Sequence, residues 1–257
     1  MKILICAKQV PDSTVRVKVA GDGRAIVTDG ITWAISPYDE YAIELALERK
    51  DADPATTVSV VSVGPARARD ALRQALAMGC DDATLVTGAG AETVNGLALA
   101  RALAKVVAEA RPDLVLCGKQ ASDDEQGLVG PALAEALGWP HLSSVERMTP
   151  GDGGIELARA TEAGYEVWRA TGPLVATVQK SEKEPRYPSL PGIMKAKKKE
   201  IPERDLPSLD GGDAPAIEVV RMEPPPARGG GKILRDGEAR QLADELARLL
   251  RDEAKVL

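Results

Sequence analysis

Chemistry in this 257-residue chain has to come from a thin set of side chains. The single histidine, His141, directly follows Pro140. The three cysteines, Cys6, Cys80 and Cys117, share no metal-ligand or redox-motif spacing, and each lies in or beside an apolar run. No Gly-x-Ser-x-Gly elbow is present, and a helical His-Glu-x-x-His pair is impossible with one histidine. Carboxylates are plentiful but mostly stand at helical spacing, as do Glu40, Glu44 and Glu48, which are expected to line a solvated face. The expectation is therefore no catalytic residue and no metal site, with His141 structural and the cysteines buried as small hydrophobes.

Phosphate binding leaves a stronger trace. There is no Gly-x-x-x-x-Gly-Lys-Ser/Thr loop and no Gly-x-Gly-x-x-Gly after the first strand, which disfavours a P-loop NTPase and an ordinary dinucleotide dehydrogenase. Yet the apolar run 114–117 leads into Gly118-Lys119-Gln120-Ala121-Ser122-Asp123-Asp124-Glu125-Gln126-Gly127 and then, through Leu128, into a helical pattern from Val129. A small-residue loop ahead of a helix offers unpaired backbone N–H groups and the positive end of the helix dipole, which suit a phosphate. Gly118, Ala121 and Gly127 would let a ligand approach the backbone; Asp123, Asp124 and Glu125 would accept ribose hydroxyls or cap the helix. Residue pattern alone is equally compatible with a plain connection. Two further strand-to-helix turns, Ser36-Pro37-Tyr38-Asp39 and Val63-Gly64-Pro65-Ala66, could share one sheet edge with it, and that convergence favours a nucleotide.

The elements that would position these turns are legible. Apolar runs at 3–6, 58–63, 83–86, 114–117 and 174–178 are continuous rather than alternating, as expected of parallel strands buried on both faces. Between them lie helical stripes: Ala42, Ile43, Leu45, Ala46 and Leu47 after a Ser36-Pro37 start; Ala68, Ala71, Leu72, Ala75 and Leu76; Leu99, Ala102, Leu103, Val106, Val107 and Ala110; Val129, Ala132, Leu133, Ala136 and Leu137. The alternation predicts an α/β fold, an open, doubly wound, mostly parallel sheet of Rossmann-like type. A hairpin is expected over 15–19 and 25–27 around Gly21-Asp22-Gly23. A short antiparallel insertion is expected over 145–148, 155–159 and 165–169, turning at Gly151-Asp152-Gly153-Gly154 and near Gly164.

The rhythm changes near Glu184. Pro185, Pro188, Pro191, Pro202, Pro207, Pro215 and Pro224-Pro225-Pro226, followed by Gly229-Gly230-Gly231, predict an extended arm over 185–257 appended to an α/β domain of 1–184. The arm ends in an amphipathic helix with Ala239, Leu242, Ala243, Leu246 and Leu250 on one face, to be covered by its own domain or by a partner subunit. Within the arm, Leu190, Ile193 and Met194 form an apolar cluster, and lysines then fill four of the five positions from Lys195 to Lys199. Such adjacency suits docking: Leu190 inserts into an apolar pocket while Lys195 and Lys198 meet an acidic rim.

Composition narrows the partners. Aromatic residues are 3% with no Phe, and the net charge is −6, so nucleic acid is not expected. The chain begins directly on the strand-like run 2–6, and no run approaches bilayer length, so a cytoplasmic location is expected.

Taken in order, several segments resemble the β subunit of electron-transfer flavoproteins: Val27-Thr28-Asp29-Gly30, Ser36-Pro37-Tyr38, Gly64-Pro65-Ala66, Ala75-Leu76-Ala77-Met78-Gly79, Asp113 through Ala121, Glu184-Pro185-Arg186-Tyr187, and Leu190-Pro191-Gly192-Ile193-Met194 with the lysines after it. The resemblance runs from Met1 to about Lys199 and is looser beyond. It implies an electron carrier rather than an enzyme, with a structural AMP in the α/β domain surrounded by Cys6, Ser36, Pro37, Tyr38, Asp39, Val63 and Gly118 to Val129. It further implies an FAD held mainly by an obligate α subunit, with Tyr38 near the flavin. Leu190 is implied as the anchor for acyl-CoA and related flavin dehydrogenases, Lys195 and Lys198 as positions methylated in some relatives, and a membrane quinone oxidoreductase as acceptor. Leu128-Val129-Gly130-Pro131 resembles the electron-bifurcating form, in which a second FAD replaces AMP; Asp123-Asp124-Glu125 resembles the AMP form. AMP is the expectation and a second FAD the alternative. Outside the resemblance, a non-redox adenine-nucleotide sensor is the competing reading.

Overall fold

In the computed structural model, residues 1–94, 96–151, 153–209, 219–226 and 230–257 are described. Asp152 of the expected turn, Pro215 and Gly229 lie outside them. The strands are β1 (Lys2–Cys6), β2 (Gln9–Pro11), β3 (Trp33–Ile35), β4 (Thr57–Val63), β5 (Asp82–Thr87), β6 (Leu114–Gly118), β7 (His141–Gly151), β8 (Gly154–Thr161), β9 (Gly164–Ala170), β10 (Leu174–Val178) and β11 (Glu203–Asp205). The helices are α1 (Pro37–Ala52), α2 (Arg69–Met78), α3 (Gly96–Ala110), α4 (Val129–Leu137), α5 (Leu190–Lys198) and α6 (Ala239–Asp252).

Nine strands form one sheet in the order β11-β5-β4-β1-β6-β10-β7-β8-β9. Pairing is parallel from β11 through β7 and antiparallel for β7-β8 and β8-β9. The five expected parallel strands are all present, and the expected antiparallel insertion is the β7-β8-β9 meander. The expected hairpin is reduced to one bridge, Val19 to Ile26. The pair β2-β3 was not foreseen, because three-residue strands carry no readable period.

Strand alternation divides the core. Ile3 and Ile5 of β1, with Leu114 and Leu116 of β6, pack against α1 and α2 on one face. Leu4 and Cys6, with Val115 and Cys117, pack against α3 and α4 on the other. Both faces of each strand are therefore apolar, which is why the runs read as continuous. The expected helix stripes hold with two exceptions. On α4 Ala134 rather than Ala136 is buried, because the stripe turns toward Leu133 and Gly130. On α1 Glu44 is buried at 4% exposure, contrary to the solvated face expected for it, because Arg186 neutralises it.

Chain contacts divide the described residues into Met1–Arg221 and Met222–Leu257. Residues 190–205, assigned to the arm on proline density, contribute α5 and the edge strand β11 to the first unit. The prolines permit this by falling at boundaries: Pro191 in the first turn of α5, and Pro202 one residue before β11, its carbonyl accepting the Leu85 amide. In the second unit, α6 buries Leu249, while Leu246 of the expected face is 50% exposed. No helix among the described residues is long and apolar enough to cross a membrane.

Candidate functional site at the sheet switch point

Strand β1 has β4 on one side and β6 on the other, so the chain's winding reverses between β1 and β6. Open α/β sheets carry their ligand crevice at the carboxyl ends of such a pair. The carboxyl ends here are Cys6 and Gly118, with Cys6 directly opposite Cys117 in register. Tertiary bonds draw the other expected residues to the same edge. The Ser36 amide donates to the Lys8 carbonyl at 2.9 Å, placing the start of α1 beside the end of β1. The Asp39 carboxylate then joins the two strand ends, accepting the Lys8 amide at 2.8 Å and the Gly118 amide at 2.7 Å.

This changes the expected role of Gly118. Its amide is committed to Asp39 Oδ1, and a Cβ there would lie 2.5 Å from that oxygen and 2.8 Å from Tyr38 Cβ. The missing side chain makes room for the first turn of α1 rather than for a ligand. Gly127 has a positive φ of 61°, and the preceding loop residue Glu125 has φ of 50°, so the loop bends sharply before α4. The loop is exposed at Lys119, from Ser122 to Gln126 and at Leu128, and half-buried at Gln120, Ala121, Gly127 and Val129. Two of its three acids are occupied: Lys8 Nζ reaches Asp123 at 2.8 Å and Asp124 at 2.9 Å. Burial works against the Lys8 ammonium, but the two carboxylates outweigh it and hold its pKa above the ordinary value. Lys8 was missed from sequence; its one signal was a cation two residues past a strand end.

Burial pushes Asp39 up to about 7, against the two amides that pull it down. Burial pushes Cys80 up to about 12, and the neighbouring Cys6 and burial hold Cys117 well above the ordinary thiol range. Neither is poised as a nucleophile. His141 is half-buried and its pKa is lowered by burial. Among the described residues, no group of three acids, cysteines or histidines could hold a metal ion.

What the edge offers a ligand is backbone and hydroxyl. The amides of Leu128, Val129 and Gly130 open α4 and have no carbonyl a turn earlier to bond. Ser36 Oγ is wholly buried and unpartnered, and makes no cap bond to α1. An adenylate fits both features: helix-start amides for its phosphate, and a buried hydroxyl lacking a partner for a polar group. The structure thus brings together Cys6, Ser36 to Asp39 and Gly118 to Val129, with Val63 half-buried at the end of β4. The expected docking residues stand apart on α5, where Leu190 is 80% and Met194 59% exposed, with Ile193, Lys195 and Lys198 also exposed.

The fold and this edge place the chain among doubly wound α/β proteins, a class whose ligands sit at the switch point. The family model "Electron transfer flavoprotein domain" matches residues 24–209. The chain is 37% identical over 257 residues to "Electron transfer flavoprotein subunit beta" of Bradyrhizobium diazoefficiens, covering 100% of both chains. It is likewise 37% identical over 261 residues to the Bacillus subtilis protein of the same name, covering 100% of both. The Homo sapiens protein of that name is 37% identical over 234 residues, 90% of this chain and 91% of that one. The chain belongs to the electron transfer flavoprotein family and stands with its β subunits. It is accordingly an electron-carrier subunit rather than an enzyme.

Proposed function

We propose that this chain holds one AMP in the switch-point crevice and works as the smaller half of a cytoplasmic heterodimer whose FAD sits mainly in the α subunit. The observation that carries the nucleotide is the coincidence, on one sheet edge, of unbonded helix-start amides at Leu128 to Gly130 and an orphaned, buried Ser36 hydroxyl. FAD supplies the electron-accepting and electron-releasing chemistry when bound; this chain supplies a rigid wall for it, with Tyr38 at the first turn of α1. The need for a partner is supported by β9, a sheet edge unpaired among the described residues, on which Tyr165, Val167 and Trp168 are 51%, 61% and 52% exposed. Electrons enter from acyl-CoA or related flavin dehydrogenases docked on α5 and leave toward a membrane quinone oxidoreductase.

Nucleotide extraction from the co-purified heterodimer tests the reading. One AMP and one FAD per heterodimer are expected. Two FAD and no AMP would assign the electron-bifurcating form, and an empty crevice would remove the nucleotide altogether. Leu190→Ala deletes most of a side chain that is 80% exposed, so the fold should keep its stability. The KM for a dehydrogenase donor should rise by about tenfold, because an anchor residue of this kind contributes at least 1–2 kcal/mol. Equal rates for wild type and variant across donor concentrations would discard the docking assignment.

A further inference from the structure

On α1, Tyr41, Glu44, Glu48 and Asp51 recur at spacings of three, four and three, which puts them on one face. Each of the four grips the segment that leads into α5. Tyr41 Oη donates to Glu184 at 2.6 Å, Glu48 pairs with Lys183 at 2.7 Å, and Asp51 pairs with Arg186 at 2.7 Å. Glu44 is the centre: its carboxylate accepts the Arg186 backbone amide at 2.9 Å and, in a bidentate fork, the guanidinium at 2.8 Å on each oxygen. Its side chain is 6% exposed, so this is the one pair of the stripe shielded from water.

The far end of the segment has its own post. Arg73 of α2 donates to the carbonyls of Ala196 and Lys199 at the end of α5, where the Ala196 carbonyl also accepts the Lys199 amide at 3.2 Å. Between the posts, Ser189 Oγ caps α5 by accepting the Gly192 amide at 3.1 Å. Gly192 lies so close to the Ala77 carbonyl that no side chain would fit. Three large side chains are left protruding: Tyr187 at 95%, Leu190 at 80% and Met194 at 59% exposure. Buried Ala196 and the close pass of Gly192 seat the middle of this nine-residue helix on α2, and the posts fix the ends of the segment that carries the anchors.

We infer that Glu44 and Arg73 are positioning residues for electron-donor capture: acting through Arg186 and through the end carbonyls of α5, they hold Tyr187, Leu190 and Met194 pre-ordered for a donor protein with an apolar pocket and an acidic rim. This rests on the docking reading of α5. Binding by an ordered segment avoids the cost of immobilising it at the moment of contact. Removing a post therefore weakens capture without touching any contacting atom.

The test uses the heterodimer with Glu44→Gln, Arg73→Gln and Leu190→Ala, and an acyl-CoA dehydrogenase reduced by its acyl-CoA as donor. Two quantities are read: amide hydrogen exchange over residues 187–198, and KM and kcat for the donor. Glu44→Gln and Arg73→Gln are each expected to speed exchange over that segment and to raise KM by about fivefold, the change falling on KM rather than kcat or flavin content. Leu190→Ala should raise KM while leaving exchange as in wild type. Unchanged exchange in both post variants overturns the inference, as does faster exchange with unchanged KM while Leu190→Ala still raises it. An unchanged KM in Leu190→Ala removes the docking reading, and this inference with it. Should Glu44→Gln not assemble, Arg73→Gln at the opposite end gives the same readings.

Discussion

Gly118→Ala is expected to lower the stability of the chain by about 3 kcal/mol and, on the proposed reading of the edge, to strip AMP from it. The added Cβ would lie 2.5 Å from Asp39 Oδ1, 2.8 Å from Tyr38 Cβ and 3.0 Å from the Asp39 amide nitrogen. Two of these atoms are fixed by the backbone of α1, so no flexible side-chain end can swing aside. Nor can α1 retreat. The Asp39 amide is bonded to the Ser36 carbonyl at 2.9 Å, and its carboxylate holds the Lys8 and Gly118 amides. Relief of the clash has to separate the end of β6 from the start of α1, where the orphaned Ser36 hydroxyl lies. Thermal unfolding should show a midpoint lower by roughly 6–12 °C, and extraction should return little AMP. Gly138→Ala is the control: φ there is 64°, nothing lies within 4 Å, and the cost should stay near the roughly 1 kcal/mol of a left-handed residue. Matching midpoints and nucleotide content for wild type and Gly118→Ala would show that the edge does not depend on this close approach.

The parts of the molecule readable in advance share one property: their signals are local. Continuous apolar runs gave the five parallel strands, and a small-residue loop between the run 114–117 and a helical stripe marked the edge at β6. What escaped reading depends on partners far along the chain. Glu44 sits at helical spacing with Glu40 and Glu48 and reads as solvated; its burial is licensed by Arg186, 142 residues away. Lys8 looks like any surface cation until the fold brings Asp123 and Asp124 to it, 115 and 116 residues later. The edge strand β11 is Glu-Arg-Asp and carries no apolar signal; it pairs because β5 presents a free ladder and Arg69 takes up Glu203. Proline counting failed over 190–205 for a related reason. Prolines forbid the interiors of elements, and these stand at their ends. Gly118 was singled out correctly as a tight position but for a ligand, whereas its neighbour is another part of the chain.

Asp39 gives the edge a pH dependence whose sign is opposite to that of ordinary acid unfolding. Its carboxyl titrates near 7 in the folded chain against an ordinary value of 3.8, chiefly because burial penalises the charged form. Between these two values the folded state keeps a proton that the unfolded state has released. Stability from this group is therefore fully present below about 3.8 and is lost as pH rises toward 7. The separation corresponds to about 4 kcal/mol. Glu40, raised by burial, shares this sign, whereas Asp12, Asp53, Asp81, Glu109, Glu166 and Glu184 have lowered pKa values and lose stability as pH falls. The Asp39 contribution is isolated by difference against Asp39→Asn, which keeps the shape and cannot ionise. Urea unfolding of both proteins from pH 4 to pH 8 should show the wild type losing about 4 kcal/mol relative to the variant, most of it before pH 7. The variant carries a fixed penalty, since its NH2 faces one of two amide donors, but that penalty does not move with pH. A difference flat across this range would mean that the two amides, with Lys8 nearby, keep Asp39 ionised at its ordinary value. The junction of β1 and β6 would then be held by a charged carboxylate at every pH at which the protein is folded.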